Sequence, residues 1–422
     1  MSVGGVLRDW RTAGAAYVVI RIAGVVGTSP VRFGDSAGYT RVSLLHPGMR
    51  TWPVPLLYSV LRDDTNRVVA QAVVGCAVWV LFARLATRRS RFPATTGAAI
   101  LAVGLAPQVT RFDTAILSES FAISAAVLLM ATLVGTVHSR NWRVPALCAW
   151  VVFVMIRPEN LVVGVAAGVA AVLAILLRRR VPSLAVLVVL VTGVAAAQQL
   201  GSITTVRDLN MYTVLATRVM NDSARYAWFV DHGMPNIPGI RLVDGYDYSF
   251  RVPDDLRSYL GIPDEQDVPA IVIAGGMDLA RWVHTDSWPT YARRVVTHPR
   301  ETWDLVSSYA GPSLNARSHT FLPTTNRRIV PDWVFGRWQW WMLASVTGLL
   351  SLVVLSRTRE LLAVSVVTLS TVIIFPLVTV ASGIEQQRHA AVVAVMVRLA
   401  ALAALALGTT AAPVPAPEGE VR

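Results

Sequence analysis

Residues 114–137 read TAILSESFAISAAVLLMATLVGTV and contain a single charged side chain, Glu119. Crossing the roughly 30 Å hydrocarbon core of a bilayer takes about 20 largely apolar helical residues, so this stretch predicts a transmembrane helix. Further apolar runs bounded by charge, proline or glycine are 13–27, 68–83, 94–110, 144–156, 161–177, 182–200, 338–355, 361–381 and 390–408. The sequence therefore predicts an all-α polytopic membrane protein with about 10 transmembrane helices.

The composition of the 422-residue chain agrees with this interpretation. Apolar residues make up 54% of the chain and charged residues 15%, against roughly 25% charged residues in soluble domains. These values exclude a disordered chain, a coiled coil and a water-soluble globule. The two cysteines, Cys76 and Cys148, both fall in apolar runs, which excludes a disulfide framework and a zinc cluster.

The net charge of +12 comes from 38 basic residues, all of them Arg, against 26 acidic ones. If the N-terminus is cytoplasmic, every second short loop is basic and lies inside, as the positive-inside rule requires. Those loops carry Arg84, Arg88, Arg89, Arg91, Arg140, Arg143, Arg178, Arg179, Arg180, Arg357 and Arg359. The excess charge is thus mainly a topology signal, and no nucleic-acid partner is expected. We predict a multi-pass plasma-membrane protein with both termini in the cytoplasm.

The apolar runs divide the chain into two membrane modules around a polar segment. Residues 1–200 predict a seven-helix N-terminal module with an exported loop at 28–67, and residues 337–410 predict a three-helix C-terminal module. Between them, residues 201–336 predict an exported, mostly helical insert that holds 13 Arg against 15 Asp plus Glu. The proline-rich tail at 411–422 is predicted to be disordered.

Two carboxylates stand out near the predicted exported face. Asp35 follows the first helix by a few residues; it either acts at a site above the helices or simply caps the next short helix. Glu119 is expected about five residues inside the fourth apolar run, where a carboxylate needs a polar cavity or a partner. Its alternative role is to pair with a neighbouring Arg and lock helices together. Asp35 and Glu119 are the candidate catalytic residues, because paired carboxylates suit acid–base work on a hydroxyl.

Three exported turns each place an arginine just before a helix. Helix N-termini carry free N–H groups and partial positive charge, so three of them with three guanidinium groups predict an anion site, here for a lipid phosphate. Each arginine could instead be an ordinary interfacial or solvated side chain. The phosphate-binding candidates are Arg111, Arg157 and Arg388, and the supporting candidates are Glu159, Glu385 and His389.

Together these motifs resemble the GT-C superfamily of integral-membrane glycosyltransferases. The resemblance rests on Asp35 in the first exported loop, proline-rich turns before the second helix, Ile-Leu-Ser-Glu-Ser at 116–120 and the Arg-Pro-Glu turn at 157–159. Glu385, Arg388 and His389, with Gly-Met-Pro at 233–235, resemble uncharacterised actinobacterial relatives. The resemblance covers roughly residues 30–165 well, the last helix moderately and the insert poorly.

The resemblance implies an inverting glycosyltransferase that moves a sugar from a polyprenyl-phosphate donor to a glycan or lipid acceptor of the cell envelope, on the exported face. It implies that Asp35 deprotonates the acceptor hydroxyl or holds a metal, and that the arginines bind the donor phosphate. Many members have an Asp-Glu pair where this chain has Asp35-Ser36. A divalent cation such as Mg²⁺ or Mn²⁺ is therefore left open as a cofactor.

Other classes of protein fit parts of the same pattern. A transporter or flippase of a lipid-linked or anionic substrate would use Glu119 and Glu385 as a proton relay. It would also predict paired repeats and broken helices in both halves, which the sequence does not show. A polysaccharide ligase or polymerase would handle the same polyprenyl carriers, and an inactive scaffold would need none of these residues.

Overall fold

The computed structural model describes residues 10–33, 36–40, 51–88, 90–166, 169, 182–237, 270–315, 334–356, 359–381 and 386–408. Asp35, Glu385, the tail at 411–422 and most of the predicted run 161–177 lie outside these residues. Within the described ranges the chain is helical and contains no strand, and an isolated β-bridge pairs Val31 with Ala115. The all-helical expectation is confirmed.

The helices are numbered in chain order. They are α1 (Trp10–Val25), α2 (Ser36–Thr40), α3 (Pro53–Val60), α4 (Asp64–Thr87), α5 (Pro93–Gly104), α6 (Pro107–Thr110), α7 (Glu119–His138), α8 (Arg143–Ile156), α9 (Pro182–Val214), α10 (Ser223–Asp231), α11 (Ala270–Thr285), α12 (Ser287–Thr297), α13 (Pro299–Leu314), α14 (Trp338–Ser356), α15 (Arg359–Ala381), α16 (Gln386–His389) and α17 (Ala391–Gly408). Short 3₁₀ turns cover Arg111–Thr114, Arg140–Trp142 and Pro158–Asn160, and a π-helical turn covers Leu215–Val219.

Four of the described helices are long and apolar enough to cross a membrane. They are α4, α7, the Val364–Ala381 part of α15, and α17. Shorter apolar helices cover Pro93–Gly104 and Trp338–Val354. The fold is thus compatible with a helical membrane protein. The expected count of about ten spans is not confirmed in the described part of the chain.

Helices α7 and α17 form the centre of the membrane part. In each, 89% of the apolar window is buried, against 56% in α4 and 50% in α15. Helix α7 packs against α4, α8, α15 and α17, and α17 packs in turn against α14. Both central helices are rich in alanine and valine, which lets neighbouring backbones approach closely.

The start of α7 differs from the sequence-based expectation. Glu119 is the first residue of this helix, so the prediction that it lies about five residues inside a helix is wrong. The reason is a parallel β-bridge between Val31 and Ala115. The amide of Val31 donates to the carbonyl of Thr114 at 2.9 Å, and the amide of Ile116 donates to the carbonyl of Val31 at 3.0 Å. These bonds hold Ala115, four residues before Glu119, in an extended conformation that a helix cannot include.

The insert begins as a continuation of a membrane-module helix. Helix α9 runs across residue 200, the predicted boundary between the two parts, and passes into the π-helical turn. A second apolar core then gathers side chains of α9 to α12, among them Tyr212, Phe229 and Leu279. Helix α10 ends at Asp231, and Gly233, two residues later, has a φ of +96° that glycine adopts without strain. Helix α13 contacts α15, α16 and α17, so the insert lies against the membrane part.

Candidate functional site

The first loop is tied to the turns that carry Glu119 and Arg157. The Ser36 hydroxyl donates to the carbonyl of Ile116 at 2.8 Å, and the Tyr58 hydroxyl donates to the carbonyl of Leu117 at 2.8 Å. The Thr51 hydroxyl donates to the carbonyl of Ile156 at 2.9 Å. These bonds come from α2, from Thr51 two residues before α3, and from α3 itself, so the described parts of this loop are held against both turns.

Glu119 is completely buried and lies between two of the predicted phosphate-binding arginines. Its Oε1 atom is 2.7 Å from Nε of Arg388 and 3.4 Å from Nη1 of Arg157. Neither contact has hydrogen-bond geometry, so both are ion pairs set by charge and proximity. As the first residue of α7, the carboxylate also lies at the positive end of that helix. Two guanidinium groups and the N-terminal end of α7 therefore offset the negative charge of Glu119.

Arg157 holds the second carboxylate of the site with a two-point contact. Its Nε and Nη2 atoms donate to the two carboxylate oxygens of Glu159 at 3.2 and 2.9 Å. Burial by itself raises the pKa of Glu159, but Arg157 and His389 outweigh it and hold that pKa well below the usual range. Burial likewise lowers the pKa of Arg157 by itself, whereas Glu159 and Glu119 raise it overall. Both groups are therefore charged at neutral pH.

His389 completes the group. Its Nδ1 atom is 2.6 Å from Oε1 of Glu159 and 2.8 Å from Nη2 of Arg157. One ring nitrogen either donates to the carboxylate or accepts from the guanidinium, so the two contacts require different tautomers. We call Glu119, Arg157, Glu159, Arg388 and His389 the ionic cluster. With a neutral imidazole, its two arginines and two glutamates balance in charge.

Arg111, the third predicted phosphate ligand, stands apart from this cluster. It is 5% exposed, and its guanidinium carbon lies 4.9 Å from the ring centroid of Phe112. Among the described residues it makes no ion pair, and its Nε has no hydrogen-bond acceptor. Burial lowers the pKa of Arg111 to about 10. The structure thus brings together two of the three predicted arginines, and the third contacts no carboxylate of the described residues.

Sequence reasoning missed a buried pair directly beside the site. Arg21 donates from Nε and Nη2 to the two oxygens of Asp113 at 2.8 and 2.9 Å. The hydroxyl of Ser120 donates to the same carboxylate at 2.7 Å. Arg21 lies inside the apolar run 13–27, where an arginine needs an acidic partner. Asp113 lies between two features that the sequence already identifies, Arg111 and the motif at 116–120. Only the folded contacts, however, identify which acid it is.

Tyr39 is a second residue that sequence reasoning missed. Its hydroxyl lies 3.1 Å from the hydroxyl of Ser118, the residue before Glu119, and it is close enough to Arg157 to contribute to that group's pKa. Tyr39 belongs to the short helix that follows Asp35. The amide of Phe33 donates to Ser36 Oγ at 2.8 Å, and the Ser36 hydroxyl in turn donates to the carbonyl of Ile116, three residues before α7.

The described residues test a metal site only in part. No three His, Cys, Asp or Glu side chains among them come together as a metal site. Asp35, the residue for which the family resemblance suggests a metal, lies outside them.

Comparison with protein-family models, with curated proteins and with solved structures gives no match to this chain. Its function is therefore inferred from the side-chain arrangement.

Proposed function

We propose that this chain is an inverting glycosyltransferase of the plasma membrane. It takes a sugar from a polyprenyl-phosphate donor and transfers it to a glycan or lipid acceptor of the cell envelope, on the exported face. The observation that carries the proposal is the ionic cluster, in which residues from three distant turns meet in a buried position at the ends of apolar helices. The supporting residues predicted from sequence, Glu159 and His389, are part of it.

A purely structural role would be a costly use of these side chains. Removing charged groups from water carries a penalty of several kcal/mol per ion, and buried ion pairs seldom repay it with net stability. Charged groups at the ends of membrane helices are for this reason treated as functional by default. The cluster also holds the kind of side chain that a phosphate needs, because the planar guanidinium of Arg157 presents a two-point donor fork.

A phosphate that binds Arg157 must replace the carboxylate that already neutralises it. In the arrangement described, the fork of Arg157 is filled by Glu159, which acts as an internal anion. The donor phosphate takes the place of this carboxylate at the fork, and Glu159 keeps its hydrogen bond to His389. The guanidinium of Arg157 is then free to donate its two-point contact to the phosphate. Glu159 and His389 thus regulate access to Arg157.

The chemistry follows from the charge that develops on the leaving group. The acceptor oxygen attacks the anomeric carbon of the donor while the bond from that carbon to the phosphate oxygen breaks, and the bonding pair leaves with the polyprenyl phosphate. Arg157 and Arg388 stabilise the negative charge on the phosphate. Asp35, by the family resemblance, takes the proton of the acceptor hydroxyl.

The contacts of Glu119 favour its alternative role over direct acid–base catalysis. Its Oε1 atom lies against both Arg157 and Arg388, so it fixes the separation of the two guanidinium groups. We therefore propose Glu119 as a positioning residue for the phosphate site. Arg111, which makes no ion pair among the described residues, is proposed to supply further positive charge to the phosphate.

The test is a transfer assay with purified full-length protein in nanodiscs, using radiolabelled polyprenyl-phosphate sugars and a mixture of envelope acceptors. We expect transfer in the wild type and its loss in Asp35→Asn and Arg157→Gln. Arg62→Gln, which alters an exposed arginine of the same loop, serves as the matched control and keeps activity.

Transfer that is unchanged in Asp35→Asn would contradict the catalytic assignment. Absence of turnover with every donor, together with movement of the donor across the bilayer in reconstituted vesicles, would instead identify a flippase. Transfer of the sugar to an acceptor identifies a glycosyltransferase, whereas movement of the intact donor from one leaflet to the other identifies a flippase.

A further inference from the structure

A cavity of about 420 Å³ lies between the insert and the end of α15, apart from the ionic cluster. This volume falls in the range of small-molecule sites, roughly 300–1,000 Å³. Its charged and aromatic lining comes from the π-helical turn, α10, α12 and α13. The lining residues used below are Arg218, Arg225, Tyr291, Arg294, Glu301 and Val380. We call this space the insert cavity.

The floor of the insert cavity is anchored to the membrane part. Arg218 donates to the carbonyls of Thr379 and Val380 at 2.5 and 2.9 Å, and the Tyr291 hydroxyl donates to the carbonyl of Val380 at 3.0 Å. These carbonyls are at the C-terminal end of a candidate membrane span, Val364–Ala381. A bilayer crossed by this span would have its lipid headgroups near the cavity.

Two arginines in the wall hold one carboxylate between them. Glu301 is 2.5 Å from Nε of Arg225 through Oε1 and 2.7 Å from Nη2 of Arg294 through Oε2. The guanidinium of Arg294 also lies 5.0 Å from the ring centroid of Trp228, which fixes its plane. The Nε atom of Arg294 is buried and has no hydrogen-bond acceptor among the described residues. Arg294 thus donates to Glu301 through Nη2, while its Nε has no acceptor among the described residues.

The charge of the lining favours an anion. Three guanidinium groups face two carboxylates, Glu301 and the exposed Asp304 at the rim, which gives a net charge of +1 when His298 is neutral. Guanidinium forks match the tetrahedral oxygens of phosphate, and basic pockets at the membrane surface bind phosphate headgroups in other membrane proteins. Asp304 opposes an anion only from the solvent side.

We propose that the insert cavity binds a phosphate group, and that Glu301 occupies its place when no phosphate is bound. The phosphate takes the position between Arg225 and Arg294 and supplies the acceptor that Nε of Arg294 lacks. Glu301 turns outward, which its partial exposure allows, since 34% of its side chain is accessible. The phosphate belongs either to a lipid headgroup or to a soluble molecule. This site is separate from the ionic cluster and does not depend on glycosyl transfer.

The proposal makes opposite predictions for the two partners of one ion pair. Arg294→Gln removes a ligand of the phosphate, so its binding constant is expected to fall roughly tenfold or more. Glu301→Gln removes the competing anion, so binding is expected to become tighter. Arg293→Gln changes an exposed neighbour on the same helix and is expected to leave binding unchanged. A merely structural ion pair would give the same loss of stability in both variants and no opposite change in binding.

The experiment measures binding to the full-length protein with two probes. Inorganic phosphate is titrated into detergent-solubilised protein by calorimetry, and phosphatidylglycerol is compared with phosphatidylcholine in nanodiscs by native mass spectrometry. Saturation by inorganic phosphate identifies a soluble source, and retention of phosphatidylglycerol alone identifies a lipid source. Because the ionic cluster is itself proposed to bind a phosphate, Arg157→Gln is measured in parallel, and the binding assigned to the insert cavity is the part that this variant retains.

Three outcomes would overturn the proposal. One is absence of saturable binding of either probe to the wild type. Another is weaker binding in Glu301→Gln. The third is binding that responds to Arg157→Gln but not to Arg294→Gln. If Arg294→Gln fails to fold, Arg294→Lys keeps the charge without the planar fork and is expected to bind more weakly while the thermal midpoint is retained.

Discussion

The Nε atom of Arg388 lies 2.7 Å from Oε1 of Glu119, and this contact joins the beginnings of the two most buried helices of the fold. Glu119 is the first residue of α7, and Arg388 lies in the short helix just before α17. The two central helices therefore run in the same direction and present their N-terminal ends together. A carboxylate at this point offsets positive charge from two arginines and from a helix end.

Replacing Glu119 by glutamine is expected to destabilise the protein. The change leaves Arg157 and Arg388 with one buried counter-charge fewer, and losing one partner of a buried pair costs about 3–5 kcal/mol. We expect a clear fall in the thermal midpoint, measured by tryptophan fluorescence in detergent. Asp231→Asn, at an exposed position, serves as the control and is expected to leave the midpoint unchanged. Equal midpoints for Glu119→Gln and wild type would contradict the ionic cluster.

Breaking the buried ion pair of Arg21 and Asp113 is expected to cost more in free energy of unfolding than breaking an exposed ion pair of similar length. Asp113→Asn should cost about 3–5 kcal/mol in free energy of unfolding, because both partners are buried. Arg32 also contacts a carboxylate, that of Asp64 at 2.5 Å, but its side chain is 58% exposed. Arg32→Ala should therefore cost below about 1 kcal/mol.

The control for this comparison is the double replacement Arg21→Met with Asp113→Leu. Since it removes both charges, it should be more stable than Asp113→Asn alone. Urea or thermal unfolding of the wild type and the three variants measures the differences. A surface-like cost for Asp113→Asn would show that the pair is open to water.

Stability is expected to depend on pH through Glu159. Its pKa in the folded protein is held well below the ordinary glutamate value of about 4.3. A depressed pKa contributes stability that is complete above the ordinary value and is lost as the pH falls toward the folded one. The midpoint difference between wild type and Glu159→Gln should thus be constant from pH 7 to about 5 and should shrink below pH 4.3. A difference that stays constant down to pH 3 would argue against the contact with Arg157.

Replacing Arg111 is expected to weaken donor binding without lowering stability, whereas replacing Arg157 is expected to lower both. Arg111 makes no ion pair among the described residues, so Arg111→Gln should leave the thermal midpoint unchanged or higher. Under the proposed function it should raise KM for the polyprenyl donor roughly tenfold, the value of one charged hydrogen bond. Arg157→Gln should lower both the midpoint and kcat/KM. A fall in stability in both variants with no change in donor KM would remove Arg111 from the phosphate site.

The helices could be predicted from sequence because apolar length is a local property. The runs at 144–156, 338–355 and 390–408 match α8, α14 and α17 to within one or two residues. The start of α7 could not be predicted in this way. Its position depends on the bridge from Val31 to Ala115, a contact between residues far apart in the chain.

The sequence pointed to three of the residues that meet in the ionic cluster but not to how they pair. Chemistry and position alone pointed to Glu119, Arg157 and Arg388, and the structure brings them together. The sequence could not show that carboxylates already neutralise two of the arginines. Which acid meets which base depends on side-chain directions at the ends of several helices, and no periodicity carries that information.

Helix α9 has a practical consequence for exchanging parts of this protein. Its 33 residues form one continuous helix, about 50 Å long, that crosses the boundary at residue 200 drawn from hydropathy. A chimera joined at that position would cut a helix in half and would replace Arg218, which holds the end of α15. A graft should instead be joined between Met220 and Asp222, where the helix has ended and Asp222 begins α10 as its N-cap.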